Sequence, residues 1–308
     1  MTTPFPDITV IVGSGRSGTT YLGRVVQLSL DIEIPPEPKF VVPTYRQLKH
    51  FGDLTEEKNL RRLVEKIHAG QLFEWFHSRI KGDTTADDVM ERVLEPSYSG
   101  VLYAVFQLLA DKRQLPRLGY KDPADVVHLP LLATLLPTAR FVHVIRDGRD
   151  VALSFLKFRW GHTNVYCGSR YWARSVAVGM DDGLTLGDRY HEFRLEDLLF
   201  DTERVASELG HFVNRGANPD QVEKLVQFVQ ETKTPEIAYR WKDVLSQRER
   251  YLCEGVAGNV LRRCGYETDF GENARVSPFT SAYYHGRNFV GRSVNALRRK
   301  FAGRAAEM

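Results

Sequence analysis

The run Ile8-Thr9-Val10-Ile11-Val12 leads straight into Gly13-Ser14-Gly15-Arg16-Ser17-Gly18-Thr19-Thr20, and this junction constrains the fold more than any other stretch. A short, continuous β-branched run reads as a strand buried on both faces. Gly13 and Gly18, with four residues between them, let backbone N–H groups converge on one point. Tyr21, Leu22, Val25, Val26 and Leu28 then mark the apolar side of a helix that opens at Thr19-Thr20. Strand, loop and helix in this order make an anion site, because the helix N-terminus supplies unpaired donors and partial positive charge. A glycine turn that merely packs helix on strand is the plain alternative. The hydroxyls of Ser14, Ser17, Thr19 and Thr20, with Arg16, favour an anion, since a packing turn needs no such donors. A nucleotide triphosphatase would place Lys and then Ser or Thr after Gly18. Here Thr19 and Thr20 stand there, and the cation of the loop is Arg16.

Further strands are expected at Leu118–Lys121, Phe141–Ile145 and Tyr190–Leu195. Between them, residues 53–115 read as mostly helical, with Thr55 and Thr85 as helix caps and an aromatic cluster of Phe73, Trp75 and Phe76. Other helices are expected over Leu129–Leu136, after Arg146-Asp147-Gly148-Arg149-Asp150, over about 201–213, and over 219–231. Strands alternating with helices imply an α/β fold: a P-loop-type parallel sheet flanked by helices on both faces, with a helical insertion at about 40–115. The division expected is a domain over 1–276 and a tail over 277–308.

Arg146 begins where the strand Phe141–Ile145 ends, and ligands in such sheets bind beyond the carboxyl ends of strands. If that strand neighbours Ile8–Val12, Arg146 and Arg16 share one rim. Ser154 lies two helical turns after Arg146, and arginine suits a bidentate grip on phosphate. An Arg/Asp ladder on the surface at a helix start is the competing reading of 146–150.

These residues resemble a known family. Gly15-Arg16-Ser17-Gly18-Thr19-Thr20-Tyr21-Leu22 is similar to the 5′-phosphosulfate loop of sulfotransferases. Phe141 to Ser154 is similar to their 3′-phosphate motif. Tyr120-Lys121-Asp122-Pro123 resembles the Lys-x-Pro segment of bacterial members, and Arg194-Leu195-Glu196-Asp197-Leu198 a later Glu-Asp-Leu segment. The resemblance covers roughly residues 8–268. It implies one co-substrate, 3′-phosphoadenosine 5′-phosphosulfate, with 3′-phosphoadenosine 5′-phosphate as product and no metal. Gly15, Arg16, Ser17, Gly18, Thr19 and Thr20 would hold the 5′-phosphosulfate, and Arg146 and Ser154 the 3′-phosphate. Arg240, in Arg240-Trp241-Lys242, stands near the place of the family's nucleotide-covering loop. Departures are Arg16 for the commoner lysine and Leu195 for tyrosine.

The implied reaction is in-line transfer of a sulfuryl group to a hydroxyl or amine of a small-molecule, lipid or carbohydrate acceptor. Many cytosolic members place a histidine after the middle-motif lysine, and none follows Lys121 here. By resemblance to carbohydrate-type members, whose base is a glutamate shortly after the first helix, Glu37 would be the general base, with Asp122 second and His128, His143 and His162 as outsiders. The competing reading of Glu37 is a loop carboxylate paired with Lys39. Lys121 would reach the transferring oxygens. The acceptor would be gripped by the insertion and by Phe158–Trp172, with aromatic surface from residues such as Tyr98, Tyr103, Phe106, Trp160, Tyr166 and Tyr171. Rival functions are a P-loop kinase or NTPase-like protein and a non-catalytic nucleotide-binding module.

Composition narrows the rest. The chain has 308 residues, 43% of them hydrophobic, with a net charge of +3, which does not point to nucleic acid as a partner. Cys167, Cys253 and Cys264 form no Cys-x-x-Cys pair and suit a reducing compartment. The first residues show no basic region ahead of an apolar run, and the longest apolar run, Val101–Ala110, is short of the roughly 20 residues that span a bilayer. A cytoplasmic location is expected. Residues 287–304 read as a basic amphipathic helix. The preferred reading packs it on its own domain; a peripheral membrane or partner contact is the alternative.

Overall fold

The computed structural model describes residues 5–79, 83–214 and 218–305, with side chains as far as Arg298. The chain opens with β1 (Ile8–Gly13), α1 (Thr19–Leu30) and β2 (Ile32–Glu33). A helical stretch follows: α2 (Val41–Tyr45), α3 (Glu57–His68), α4 (Gln71–Arg79), α5 (Ala86–Met90) and α6 (Tyr98–Lys112). Next come β3 (Arg117–Lys121), α7 (Leu129–Leu135), β4 (Ala139–Ile145), α8 (Gly148–Phe155) and α9 (Val165–Leu184). The remainder is β5 (Tyr190–Arg194), α10 (Leu195–Phe200), α11 (Thr202–Asn214), α12 (Pro219–Thr232), α13 (Trp241–Val244), α14 (Gln247–Arg263) and α15 (Pro278–Ala305).

The strands form one sheet in the order β2-β3-β1-β4-β5, and every pairing is parallel. β1 lies at the centre, with Ile11 opposite Lys121 of β3 and Gly13 opposite Val144 of β4. Side-chain alternation sends the two faces into separate cores. Ile8, Val10, Val12, Tyr120 and Phe141 pack under the helical stretch that holds α3 to α7. Ile11, Val142, Val144 and Phe193 face the other way, against Leu22, Val25 and Val26 of α1 and the apolar sides of α11 and α12. A parallel sheet needs both faces covered, which explains why β1 and β4 are near-continuous apolar runs.

Two local expectations fail. Leu28 is 55% exposed, because the buried stripe of α1 continues to Ser29 and Leu30. Thr55 does not cap α3, which is preceded by Glu56. Its N–H and hydroxyl instead donate to Asp53 Oδ1, at 2.9 and 2.8 Å. Thr85 does cap α5, in a reciprocal capping box with Asp88.

Candidate active site

β1, β3 and β4 end side by side at Gly13, Lys121 and Ile145. A cavity of about 780 Å3 opens beyond this edge, lined from the loops that follow these strands. The first loop turns through two residues of positive φ, Arg16 at 72° and Gly18 at 94°. A side chain in that region costs about 1–2 kcal/mol, so an arginine held there marks a position where geometry serves something other than stability. Gly18 needs its missing Cβ twice over, since an added one would also stand 3.0 Å from Leu195. No side chain caps α1, and Gly18, Thr19 and Thr20 all line the cavity. The first amide donors of the helix are therefore free for a ligand. Ser17 is placed differently from its loop neighbours. It is fully buried, with its Oγ 2.6 Å from that of Ser14, and braces the loop from beneath.

Two arginines meet here. Arg16 Nε donates to Ser154 Oγ at 3.2 Å, and its guanidinium lies 4.2 Å above the Phe158 ring. Arg146 donates to the carbonyl oxygens of Arg16 (3.3 Å) and Ile237 (2.6 Å), while its buried Nε has no partner among the described residues. Burial, and then the charge of Arg146, lower the pKa of Arg16 from the ordinary arginine value. Like charges held this close favour an anion between them.

The segment 146–150 is no surface ladder. Asp147, Arg149 and Asp150 are all buried. Arg149 bonds Asp147 at 2.8 Å and Glu254 at 2.9 Å, and its guanidinium stacks 3.6 Å from the Trp241 ring centre. Trp241 in turn donates its ring N–H to Asp147 (3.0 Å) and its backbone N–H to Asp150 (2.9 Å). This network pins the strap before α13 against the start of α8, and the strap delivers Ile237 and Arg240 to the cavity wall. Each buried charge is paired or hydrogen-bonded, as burial requires.

Across the cavity, Lys121 is only 8% exposed. Its ammonium donates to Thr20 Oγ1 at 3.0 Å and to Glu37 Oε1 at 2.9 Å. Glu37 therefore pairs more closely with Lys121 than with Lys39, which stands 3.8 Å away. Asp122 accepts from the Ala124 N–H at 3.0 Å, and burial raises its pKa. Asp125 accepts from the buried Tyr120 hydroxyl at 3.1 Å; burial and then Asp122 push its pKa up to about 7. His128 lines the cavity, whereas His143 and His162 do not. Burial holds His143 down to about 3, against Tyr190 Oη at 2.6 Å.

Gly15, Arg16, Gly18, Thr19, Thr20, Glu37, Asp122, Arg146, Ser154 and Arg240 thus share one cavity, and Lys121 is bonded to two of its walls. Of the aromatic candidates, Phe73, Phe76, Tyr98, Tyr103, Phe106 and Tyr166 are core. Trp160 and Tyr171 reach the cavity, with Phe158. Sequence reasoning missed Asp125, Lys157 and Ile237. Asp125 stood in view, one helical turn past Asp122, but only burial beside Tyr120 singles it out.

Comparison with known proteins agrees with this geometry. The model of the "Sulfotransferase family" matches residues 7–217, more than half of the chain. No curated protein matches the chain. Among solved structures, it is similar to the sulfotransferase domain from the curacin biosynthetic pathway, at 20% identity and TM-score 0.57, covering 86% of this chain and 100% of that one. The sulfotransferase domain of the olefin synthase of Synechococcus PCC 7002 gives 20% identity and TM-score 0.51, over 87% and 97% of the two chains. A sulfotransferase from Mycobacterium avium gives 11% and 0.50, over 87% and 79%. At these identities the structures speak for the fold alone. The family match, over a stretch that contains β1 to α11 and most of the cavity, carries the assignment: the chain belongs to the sulfotransferase family.

Proposed function

We propose that the protein transfers a sulfuryl group from 3′-phosphoadenosine 5′-phosphosulfate to an acceptor hydroxyl or amine. The observation that carries this reading is the pair Arg16 and Arg146 beside the uncapped α1 N-terminus, in a loop without the lysine of an NTPase. The residues fit such a donor. The free amides of Gly18 to Thr20 suit the 5′-phosphosulfate. The Arg146 Nε, unpartnered among the described residues, suits the 3′-phosphate together with Ser154. Arg240 borders the same cavity.

In the transfer, the bond from sulfur to the bridging phosphate oxygen breaks as the acceptor oxygen bonds to sulfur in line. 3′-Phosphoadenosine 5′-phosphate leaves with the bridging electron pair, and the acceptor proton passes to a base. Arg16 and the loop amides stabilise the growing negative charge on the leaving oxygen. Arg16 acts as a fixed charge here, since guanidinium does not give up its proton readily. Glu37, which lines the cavity, is the base. Lys121 ties Glu37 to Thr20 and so aligns acceptor activation with the donor loop.

A direct test follows sulfur-labelled donor, in excess chelator, into a panel of hydroxyl and amine acceptors including lipids and sugars. Labelled product from the wild type, formed about 10²–10³-fold more slowly by Arg16→Ala, supports the reading. Donor bound with no transfer to any acceptor class would turn it toward a nucleotide-binding module.

A further inference from the structure

The outward face of α15 has no place in the reading above. Among the described side chains, this helix of 28 residues meets the rest of the protein along one side. Asn288 Oδ1 accepts from the Thr163 N–H at 2.8 Å, and the Tyr284 carbonyl from Asn164 at 3.0 Å. Tyr166 donates to Ser281 at 2.8 Å, and Gly291 lies so close to Thr163 that a Cβ would stand 2.9 Å from it. Ser281, Tyr284, Asn288 and Gly291 recur at helical spacing, so the docked side is largely polar or small.

The opposite side is apolar. Phe279, Tyr283, Val290, Val294 and Leu297 also recur at helical spacing, on the stripe turned away from Thr163. They are 89%, 56%, 60%, 40% and 55% exposed. Phe289, between the two faces, is 73% exposed. An amphipathic helix that serves only its own domain buries its apolar stripe; α15 turns that stripe outward. Single exposed apolar side chains are ordinary, but an aligned row marks a binding surface.

The charge of the helix identifies the occupant. From Pro278 to Ala305 the sequence holds Arg287, Arg292, Arg298, Arg299, Lys300 and Arg304 and no acidic residue; the side chains of Arg299, Lys300, Phe301 and Arg304 lie outside the described residues. Arg287 and Arg298 flank the stripe on one side. No described helix is long and apolar enough to cross a membrane. An apolar stripe with cations at its margin and no carboxylates matches a negatively charged lipid surface, with the helix lying in the interface plane.

We propose that α15 docks the protein on an anionic lipid surface through Phe279, Tyr283, Val290, Val294 and Leu297, with Arg287 and Arg298 on the headgroups. This reading is independent of the donor assignment. The sequence-based preference for a helix that simply packs on its own domain accounts for the polar side alone.

The test is co-sedimentation of the full chain with vesicles of phosphatidylcholine, with and without about 30% phosphatidylserine, the anionic component that attracts basic segments. Binding is expected to anionic vesicles at least about 25-fold above neutral ones, since two cations alone contribute about that much. Val290→Asp with Leu297→Asp should abolish it at an unchanged melting temperature. Arg287→Gln with Arg298→Gln should weaken it roughly 25-fold, about fivefold per cation lost near the surface. No binding by the wild type, or binding indifferent to either double substitution, overturns the proposal. A dimer in sedimentation equilibrium that the aspartate pair dissociates, without vesicle binding, overturns it in favour of a second copy of the chain.

Discussion

Replacing Arg146 by alanine isolates the part of the site that would read a 3′-phosphate. Its Nε is a buried donor with no partner among the described residues, while its other nitrogens hold the carbonyls of Arg16 and Ile237. A hydrogen bond to a charged group contributes about 1.5–3 kcal/mol, so losing this grip should weaken binding of 3′-phosphoadenosine 5′-phosphate by about 10- to 150-fold. A general loosening of the loop and the strap would instead weaken every nucleotide alike. Calorimetric titration of both 3′-phosphoadenosine 5′-phosphate and AMP separates these effects, because AMP lacks the 3′-phosphate. AMP affinity should change by less than about threefold, so that the preference between the two ligands collapses. Arg146→Lys keeps the charge but loses the planar fork, and should fall between. An unchanged preference in Arg146→Ala, or equal losses for both ligands, would refute the assignment of this arginine to the 3′-phosphate.

Other perturbations have distinct readouts. Arg16→Ala should lower kcat by about 10²–10³, the usual loss for one charge-stabilising donor, with a circular-dichroism spectrum like the wild type; retained turnover would remove Arg16 from the chemistry. Glu37→Gln should cut kcat by about 10²-fold or more with little change in binding of 3′-phosphoadenosine 5′-phosphate. If Asp122→Asn alone stops turnover while Glu37→Gln does not, the base is Asp122. Glu196 accepts from the Asp147 N–H and the Tyr266 hydroxyl at 3.0 and 2.7 Å, and burial pushes its pKa up to about 7 from 4.5. The folded state then holds a proton that the unfolded state has released between those values. Stability should therefore fall as pH rises through the window, by at most about 3 kcal/mol. Glu196→Gln should flatten that fall in urea melts at pH 5 and pH 8, and an unaltered fall would count against the buried neutral carboxyl.

The sheet centre was readable because its cause is local. β1 and β4 are β-branched runs buried on both faces, and each ends on a loop whose residues cannot serve packing alone. α9 was not readable as a helix. Val165–Leu184 carries Gly168, Gly179 and Gly183, which weaken helix propensity. The reason for two of them lies elsewhere in the chain: a Cβ on Gly168 would stand 2.9 Å from Ala152, and one on Gly179 2.5 Å from Val126. Close approach to α8 and to the segment after β3 outweighs propensity there. The same distinction runs through the site. Arg16, Arg146 and Ser154 follow from motif spacing, and the structure joins them by hydrogen bonds. The burial of Arg149 between Asp147, Glu254 and Trp241 depends on a partner about a hundred residues away, which no spacing displays. The outward stripe of α15 was visible as a pattern, but its direction depends on which side meets Thr163 and Asn164.

The most direct measurement of the central claim is the nucleotide preference of the wild-type chain in excess chelator. Titration with 3′-phosphoadenosine 5′-phosphate, AMP and ATP should show the bisphosphate binding at least about 100-fold more tightly than AMP, with no need for magnesium. Equal affinity for AMP and the bisphosphate, or tight binding only of ATP with magnesium, would contradict it.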